Sequence, residues 1–160
     1  MATRSGSVDP GALLHLLRAR RLTVNELDRM LEHESGLLGL SSGTGNVDEL
    51  ERLGSRDAQL ALGVYTYRIA AAVATMAMAA QGLDALVFTA GVGEHSAAVR
   101  EPVCARLAFL GVELDSDANT AAEPDTEIAA SGSTCRVVVL RAREELVAAR
   151  AARELLSAIG

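Results

Sequence analysis

The first third of the chain alternates apolar and polar positions at helical spacing. After the Asp-Pro pair at residues 9 and 10, where Asp can cap a helix and Pro can begin one, leucines between positions 13 and 17 form an apolar face. Thr23 and Glu26 have the spacing of a capping box, and apolar residues recur every three or four positions after them. The pattern predicts two short helices, the second reaching about residue 34.

The middle of the chain is predicted to hold one long central helix. Residues 39–46 are small and polar with three glycines, which predicts a loop whose backbone comes close to another group. A short helix over about 47–53 follows. Residues 56–80 contain no proline and are apolar around most of the helix circumference, so we expect a long buried helix.

The C-terminal half has the pattern of an α/β fold. Two short apolar runs, 83–90 and 137–140, predict buried parallel strands. A helix follows each strand, the second over about 144–159. The first of these helices carries apolar residues at helical spacing: Val99, Val103, Leu107 and Leu110. Residues 115–134 show no sustained period and predict a surface connection with at most a short strand near 127–129.

Composition and charge narrow the class of protein. With 160 residues, 49% of them hydrophobic, the chain is predicted to form one domain. A formal charge of -6 argues against a nucleic-acid partner, because phosphate backbones are bound mainly by clustered Lys and Arg. Cys104 and Cys135 have no second Cys or His at metal-ligand spacing, which favours reduced, buried thiols. Since the first residues contain no apolar stretch of signal-peptide length, and polar residues interrupt the long helix, we expect a soluble, cytoplasmic chain without a membrane partner.

The clearest chemical motif is the segment Gly91-Val92-Gly93-Glu94-His95. It stands between a predicted buried strand and a predicted amphipathic helix. Backbone amides and the positive end of a helix favour an anion at such a junction, as in nucleotide-binding loops. A tight strand-to-helix turn also needs glycine for structural reasons alone, so the motif by itself leaves both interpretations open.

The sequence around this motif resembles the acetate kinases. That family has G-I-G-E-N after the same strand and T-N-E-E-L before the last helix, where this chain has G-V-G-E-H and A-R-E-E-L. Its M-G-T-R-S-G-D-I-D-P is similar to M-A-T-R-S-G-S-V-D-P here, and H-E-S-G-L-L-G-L-S resembles the segment before its adenosine-contacting loop. The similarity is collinear from Met1 to about Leu156.

The resemblance implies a fold in the actin-like, sugar-kinase superfamily, where two ribonuclease-H-like domains close over ATP and the phosphoryl acceptor. Residues 1–160 would then form the C-terminal part of the nucleotide-binding domain, without its first strands and without the N-terminal domain. The family's H-L-G-N-G phosphate loop lies on those first strands. We therefore expect a partial ribonuclease-H-like domain, helix-rich with a short parallel sheet.

The resemblance also implies two groups that act on the transferring phosphoryl group. Arg4 matches the arginine that stabilises charge on that group, a role that suits a planar guanidinium. Glu144 matches the first glutamate of T-N-E-E-L, which is associated with the magnesium of Mg-ATP, and carboxylate oxygens suit Mg²⁺. Ala142 and Arg143 replace the Thr and Asn of that motif. An acidic residue in a first helical turn can also be a partner of the helix dipole, so both interpretations of Glu144 stay open.

The family's nucleotide loop matches residues 91–95. Gly91 and Gly93, with Val92 between them, would let the backbone approach the nucleotide, while Glu94 and His95 would add polar contacts. His95 stands where the family has Asn, and a neutral imidazole has one donor where an amide has two. A helix-capping or exposed His95 is the alternative.

A second nucleotide-binding segment is implied at Asn46 and Asp48, where the family has D-x-R. The change to Asp48 would place a carboxylate near an anionic ligand, so we expect weaker nucleotide binding or a different local register. Asn46 can equally be the N-cap of the helix that begins at Val47.

The implied activity is transfer of the γ-phosphoryl group of ATP to acetate, giving ADP and acetyl phosphate with Mg²⁺ as cofactor. We expect this chain to be inactive alone, because the implied carboxylate site and first phosphate loop lie outside it. A complementary N-terminal polypeptide or a homodimer would be the protein partner, through an exposed strand edge. Propionate or butyrate could replace acetate. The alternative is a non-catalytic remnant that binds at most a nucleotide or another protein.

Overall fold

The structure is a computed structural model that describes residues 2–41 and 43–159. Its helices and strands follow one another along the chain: α1 Pro10–Ala19, α2 Val24–His33, α3 Gly36–Ser41, α4 Val47–Leu53, α5 Arg56–Ala80, β1 Ala85–Phe88, α6 Ala90–His95, α7 Ala97–Arg106, a 3₁₀ turn Ala108–Leu110, α8 Ser116–Thr120, β2 Thr126–Glu127, β3 Arg136–Val139 and α9 Glu144–Ile159.

The first two helices begin at the predicted caps. The Asp9 side chain accepts hydrogen bonds from the backbone N–H groups of Gly11 and Ala12, at 2.7 and 3.2 Å, ahead of α1. Thr23 and Glu26 form the reciprocal capping box of α2, with the Glu26 carboxylate 2.8 Å from the Thr23 backbone nitrogen. Both satisfy N–H groups that a helix start leaves without partners, so the predicted helix starts are confirmed.

The sheet has strand order β1-β3-β2 within the described residues. β1 and β3 pair in parallel, from Ala85 opposite Arg136 to Phe88 opposite Val139, which confirms the predicted parallel pair. The two-residue β2 pairs antiparallel with β3, so the sheet is mixed rather than purely parallel. Because β1 and β3 run in the same direction, α6 and the loop at 140–143 leave the same edge of the sheet, side by side.

The long helix α5 is central, as predicted, but it is not buried all round. It packs against α3, α4 and α7 through a face of small side chains: Ala58, Ala61, Thr66, Ala70 and Ala77. Some of its larger apolar side chains are exposed, among them Met76 at 64% and Met78 at 75%, while Leu62, Ile69 and Val73 are half-buried against the core. The prediction of a long buried helix was therefore wrong in extent, since α3, α4 and α7 cover only part of its circumference. By length and composition alone α5 could also cross a membrane, with a mean hydropathy of 1.4 over its most apolar window.

Two glycine-containing segments expected to be irregular are helical, and so is α8 within the predicted surface connection 115–134. α3 includes residues 39–41 of the predicted loop, and Gly39 lies so close to the Glu34 carbonyl that a Cβ there would be 2.7 Å from its oxygen. Residues 91–95 belong to α6 instead of forming a tight turn between β1 and α7. In both places glycine permits close packing of a helix against the preceding backbone.

The hydrophobic core lies between the sheet, α5 and α7. Of the predicted apolar stripe, Val99, Val103 and Leu107 are buried. The helix ends at Arg106, so Leu110 lies in the 3₁₀ turn and is half-buried. On the sheet, Val137 and Val139 face the same core. Phe88 and Val139, at the carboxyl edge of β1 and β3 where the candidate site lies, are part of this core.

Candidate functional site

A cavity of about 450 Å³ opens beside α6, a volume in the range of small-ligand sites. It brings together five of the residues implied for nucleotide binding, namely Asn46, Asp48, Gly91, Val92 and His95. The other lining residues are Ala2, Leu37, Gly45, Val47 and Tyr65. Two segments separated by more than forty positions in the chain therefore form opposite parts of one cavity.

The start of α4 forms one wall. Asn46 is the N-cap, and its side-chain oxygen accepts hydrogen bonds from the backbone N–H groups of Asp48 and Glu49 at 2.9 and 3.3 Å. The predicted capping role of Asn46 is thus confirmed, and Asn46 also lines the cavity. At Gly45 a Cβ would lie 2.8 Å from the carbonyl oxygen of Ala2, so the two backbones meet too closely for a side chain.

Helix α6 forms the opposite wall, and its two glycines have different surroundings. A Cβ on Gly91 would meet nothing within 4 Å, whereas a Cβ on Gly93 would lie 3.3 Å from the Phe88 carbonyl carbon. Gly91 therefore keeps space open in the cavity, and Gly93 lets α6 pack on the end of β1. His95 reaches the cavity from the last residue of α6.

Glu94 lies away from this cavity lining. Its side chain is only 8% exposed, and one carboxylate oxygen accepts hydrogen bonds from the backbone N–H groups of Ala90 at 2.8 Å and Ala142 at 2.7 Å. Ala90 has a φ of 59°, a left-handed conformation that costs an alanine about 1 kcal/mol or more. The carboxylate thus binds the strained first residue of α6 and the loop before α9 at once.

The buried side chain of Arg100, on α7, binds the backbone of α6. It is 2% exposed, and its guanidinium donates to the carbonyl oxygens of Gly93 and Glu94 at 3.0 and 2.9 Å. It also donates to the side-chain and backbone oxygens of Asn119 on α8, both at 2.8 Å. Burial lowers the pKa of Arg100 from its ordinary value, because the buried guanidinium loses its hydration. The four oxygen acceptors replace part of that hydration. The arrangement ties the C-terminal turn of α6 to α8.

The N-terminal segment carries Arg4 along the ends of α2 and α3. Ser35 donates its backbone N–H to the Thr3 carbonyl at 2.8 Å, and Ser5 donates to the Leu31 carbonyl at 2.9 Å. The Arg4 guanidinium lies 2.9 Å from the Glu32 carboxylate, and its side chain is 75% exposed. Arg4 is therefore on the segment whose Ala2 lines the cavity, but its own side chain points to solvent.

Glu144 begins α9 and is exposed. Within the described residues, no group of three or more His, Cys, Asp or Glu side chains is placed to hold a metal ion. Mg²⁺ is often bound through one or two carboxylates plus the phosphates of a substrate, so a single exposed carboxylate fits a metal that arrives with a nucleotide. The preceding loop is held by Glu94 on one side and by Asp125, which accepts from the Arg141 backbone N–H at 3.2 Å, on the other.

Sequence patterns did not identify Tyr65, Leu37 or Arg100. Tyr65 lines the cavity from α5, and burial raises the pKa of its phenol. Leu37 lies in α3, where the pattern indicated only an apolar face. Arg100 carried a usable signal, because it lies three positions before Val103 and so falls on the apolar side of α7, where an unpaired charge is not expected.

The lining chemistry favours an uncharged ligand surface over a phosphate. Among the described residues around the cavity none is Lys or Arg, and Asp48 contributes a carboxylate. Tyr65, Leu37 and Val92 provide apolar and aromatic surface, while Asn46 and His95 provide polar atoms. Such a site is suited to a flat, polar-edged ring system.

Comparison with known proteins gives a consistent picture. A model of the acetokinase family matches residues 1–150. An acetate kinase from Gloeobacter violaceus is 45% identical over 153 residues, which are 94% of this chain and 38% of that protein. The crystal structure of a Porphyromonas gingivalis acetate kinase superposes with a TM-score of 0.89 at 36% identity, covering 98% of this chain and 40% of that one. A propionate kinase from Francisella tularensis superposes with a TM-score of 0.84 at 35% identity, covering 91% and 38%.

These matches confirm the predicted fold class, a partial actin-like ATPase domain rich in helix, with a small sheet that is mixed. The chain spans about 40% of the length of the relatives it matches. Because the family model covers nearly the whole sequence, the chain belongs to the acetokinase family.

Proposed function

We propose that this chain is the nucleotide-binding part of an acetate kinase-type phosphotransferase, with residues 1–160 forming the C-terminal part of the nucleotide-binding domain. The observation that carries the proposal is the cavity beside α6, where two separate segments implied for nucleotide binding meet. Because the reaction proposed from the family uses ATP, the proposed ligand of this cavity is an adenine nucleotide. The 45% identity to an acetate kinase supports the same reaction class.

The cavity is proposed to hold the adenosine part of ATP or ADP. Its apolar surface at Leu37, Val92 and Tyr65 suits the purine ring, and Asn46 and His95 can hydrogen-bond the ring edge or ribose. The phosphates would extend away from Asp48, since the carboxylate repels them. Nucleotide affinity is therefore expected to come mainly from the nucleoside.

In the proposed reaction an acetate oxygen attacks the γ-phosphorus in line as the bond to the β-phosphate oxygen breaks, giving acetyl phosphate and ADP. Glu144 would hold Mg²⁺, directly or through water, and the ion would neutralise charge on the phosphates. Arg4 would donate to the oxygens of the transferring group. Its ion pair with Glu32 is exposed on both sides, and such pairs contribute about 0–1 kcal/mol, so little energy opposes its release.

The carboxylate substrate and the protein partners are also part of this proposal. We expect acetate, or propionate or butyrate, to be bound by residues other than 1–160, on a complementary polypeptide or in a larger assembly such as a homodimer. The isolated chain should therefore bind Mg-ADP without transferring phosphate efficiently. A cytoplasmic location is expected for an enzyme that uses ATP.

A matched pair of glycine variants tests the nucleotide site. Gly91→Val places a side chain in the cavity, while Gly63→Val changes a glycine of α5 whose Cβ position is equally open but which does not line it. Isothermal titration with Mg-ADP and with adenosine should show at least about tenfold weaker binding to Gly91→Val only, because the added methyl groups occupy ligand space. Equal affinity in both variants, with unchanged circular dichroism, would place the nucleotide elsewhere.

Catalysis is tested by trapping acyl phosphate with hydroxylamine in the assembled enzyme. Arg4→Ala should lower kcat by about a hundredfold or more, as loss of a phosphoryl-stabilising group does, and Glu32→Gln should not. The non-catalytic alternative is favoured by the carboxylate of Asp48 in the cavity. It predicts nucleotide or protein binding without any acyl phosphate in every assembly.

A further inference from the structure

Glu94 makes two hydrogen bonds that join separate parts of the chain. One carboxylate oxygen accepts from Ala90, the first residue of α6, and from Ala142, in the loop before α9. These donors lie more than fifty positions apart in sequence. They come together because β1 and β3 are parallel neighbours whose carboxyl ends share one sheet edge.

Ala90, at one end of this link, has a strained backbone, and the 140–143 loop, at the other end, is held by further hydrogen bonds. Ala90 has a φ of 59°, a conformation that alanine adopts only when its surroundings impose it. Arg100 donates to the Glu94 carbonyl from the buried side, so the Glu94 backbone and side chain are both fixed. The loop at 140–143 is held at its far side by Asp125, through the Arg141 backbone N–H and the Arg143 guanidinium.

We infer that Glu94 is a positioning residue that couples α6 to the 140–143 loop, so that the nucleotide cavity and the metal candidate Glu144 are held in one fixed relation. The functional consequence rests on the proposed function, because it assumes that the nucleotide binds beside α6. The coupling itself does not depend on the proposed function. It follows from the carboxylate that α6 and the loop share.

The chemistry of this carboxylate explains why a glutamate is suitable here. A carboxylate accepts hydrogen bonds without offering a donor, and one oxygen can accept two. Bonds from N–H groups to an ionised acceptor are stronger than neutral ones. A glutamine could still accept both bonds through its amide oxygen, whereas an aspartate is one methylene shorter and could not reach both donors at once.

Amide hydrogen exchange, resolved residue by residue by NMR on the whole chain, tests the coupling without any nucleotide. In Glu94→Ala the amides of both Ala90 and Ala142 should exchange about tenfold faster or more, as expected for loss of a hydrogen bond to a charged group. Glu94→Gln should restore both amides to within about threefold of wild type. If Glu94→Ala does not fold, Glu94→Asp decides, with faster exchange expected at one of the two amides.

Asp125→Gly is the matched control. It removes the other tether of the same loop, and glycine suits the φ of 74° at that position. It should speed exchange at Arg141 and leave Ala90 unchanged. Wild-type exchange at Ala142 in the folded Glu94→Ala variant, or wild-type exchange at both Ala90 and Ala142 in Glu94→Asp, would overturn the coupling.

Added Mg-ADP gives a second readout. In wild type it should slow exchange at Ala142 as well as at Ala90, although Ala142 does not line the cavity. In Glu94→Ala the protection at Ala142 should disappear while that at Asn46 persists. Protection confined to the cavity in wild type would overturn transmission through Glu94. If no wild-type amide is protected, the proposed nucleotide site fails, and the nucleotide-free exchange still decides the coupling.

Discussion

Replacing Arg100 by Met should destabilise the whole domain by about 3–5 kcal/mol, because it leaves several buried neutral oxygens without a hydrogen-bond donor. The guanidinium makes four hydrogen bonds, to Gly93, to Glu94 and twice to Asn119, and its side chain is 2% exposed. Methionine fills a similar volume but donates to none of these oxygens. Each buried oxygen left without a partner costs about 1–3 kcal/mol, and relief of the buried charge offsets part of the sum.

The assay is urea unfolding followed by far-ultraviolet circular dichroism, since the chain contains no Trp for fluorescence. For a domain of this size the loss corresponds to a Tm lower by roughly 10 °C. Arg106→Met is the matched control, because that arginine is on the same helix, is exposed, and donates to the Pro102 carbonyl of its own helix at 3.0 Å. It should change the free energy of unfolding by less than about 0.5 kcal/mol. A loss below about 1 kcal/mol in Arg100→Met, or equal losses in both variants, would refute the reasoning.

Three further outcomes are expected. Thr23→Ala removes the capping box of α2 and should cost about 1 kcal/mol in a thermal melt; an unchanged Tm would show that the cap is not stabilising. Burial raises the pKa of Cys104 to about 12 and also raises the pKa of Cys135, so both thiols should resist Ellman's reagent at pH 8 until urea unfolds the chain, and rapid native labelling would contradict this. The hydrogen bond from Arg143 lowers the pKa of Asp125 below its ordinary 3.8. The stability that the ionised Asp125 gives the fold is therefore complete above pH 3.8 and is lost as the pH falls through the folded-state pKa. Arg143→Gln should raise the Asp125 pKa in an NMR titration, and no rise would disprove the link.

Local sequence signals predicted the helices and strands well because their causes are local. The caps at Asp9, Thr23 and Asn46 each satisfy N–H groups within three residues, so side-chain spacing alone identifies them. The strands β1 and β3 are parallel as predicted. The prediction that they are buried holds for one face only, since Leu86, Phe88, Val137 and Val139 are buried while Val87 is 47% exposed. The partial burial of α5 was missed because apolar composition does not reveal which face another element covers.

The candidate site was predictable only in part. The resemblance to a family indicated Asn46, Asp48 and residues 91–95, and most of them line one cavity. The side chains of Glu94 and Arg4 point away from the cavity. The Glu94 carboxylate binds the Ala142 N–H and the Arg4 guanidinium pairs with Glu32, and these contacts depend on the tertiary structure. Tyr65 reaches the cavity from a helix whose pattern indicated only packing.

The parallel pairing of β1 with β3 also bears on how the chain folds. Its partners Phe88 and Val139 are separated by the whole α6–α8 region, so a long loop must close before they meet, and such contacts form late and slowly. During synthesis α6 emerges well before the loop at 140–143. Until Ala142 has been synthesised, the Glu94 carboxylate can accept a hydrogen bond from Ala90 but not from the loop, so α6 is linked only to parts of the chain that precede that loop.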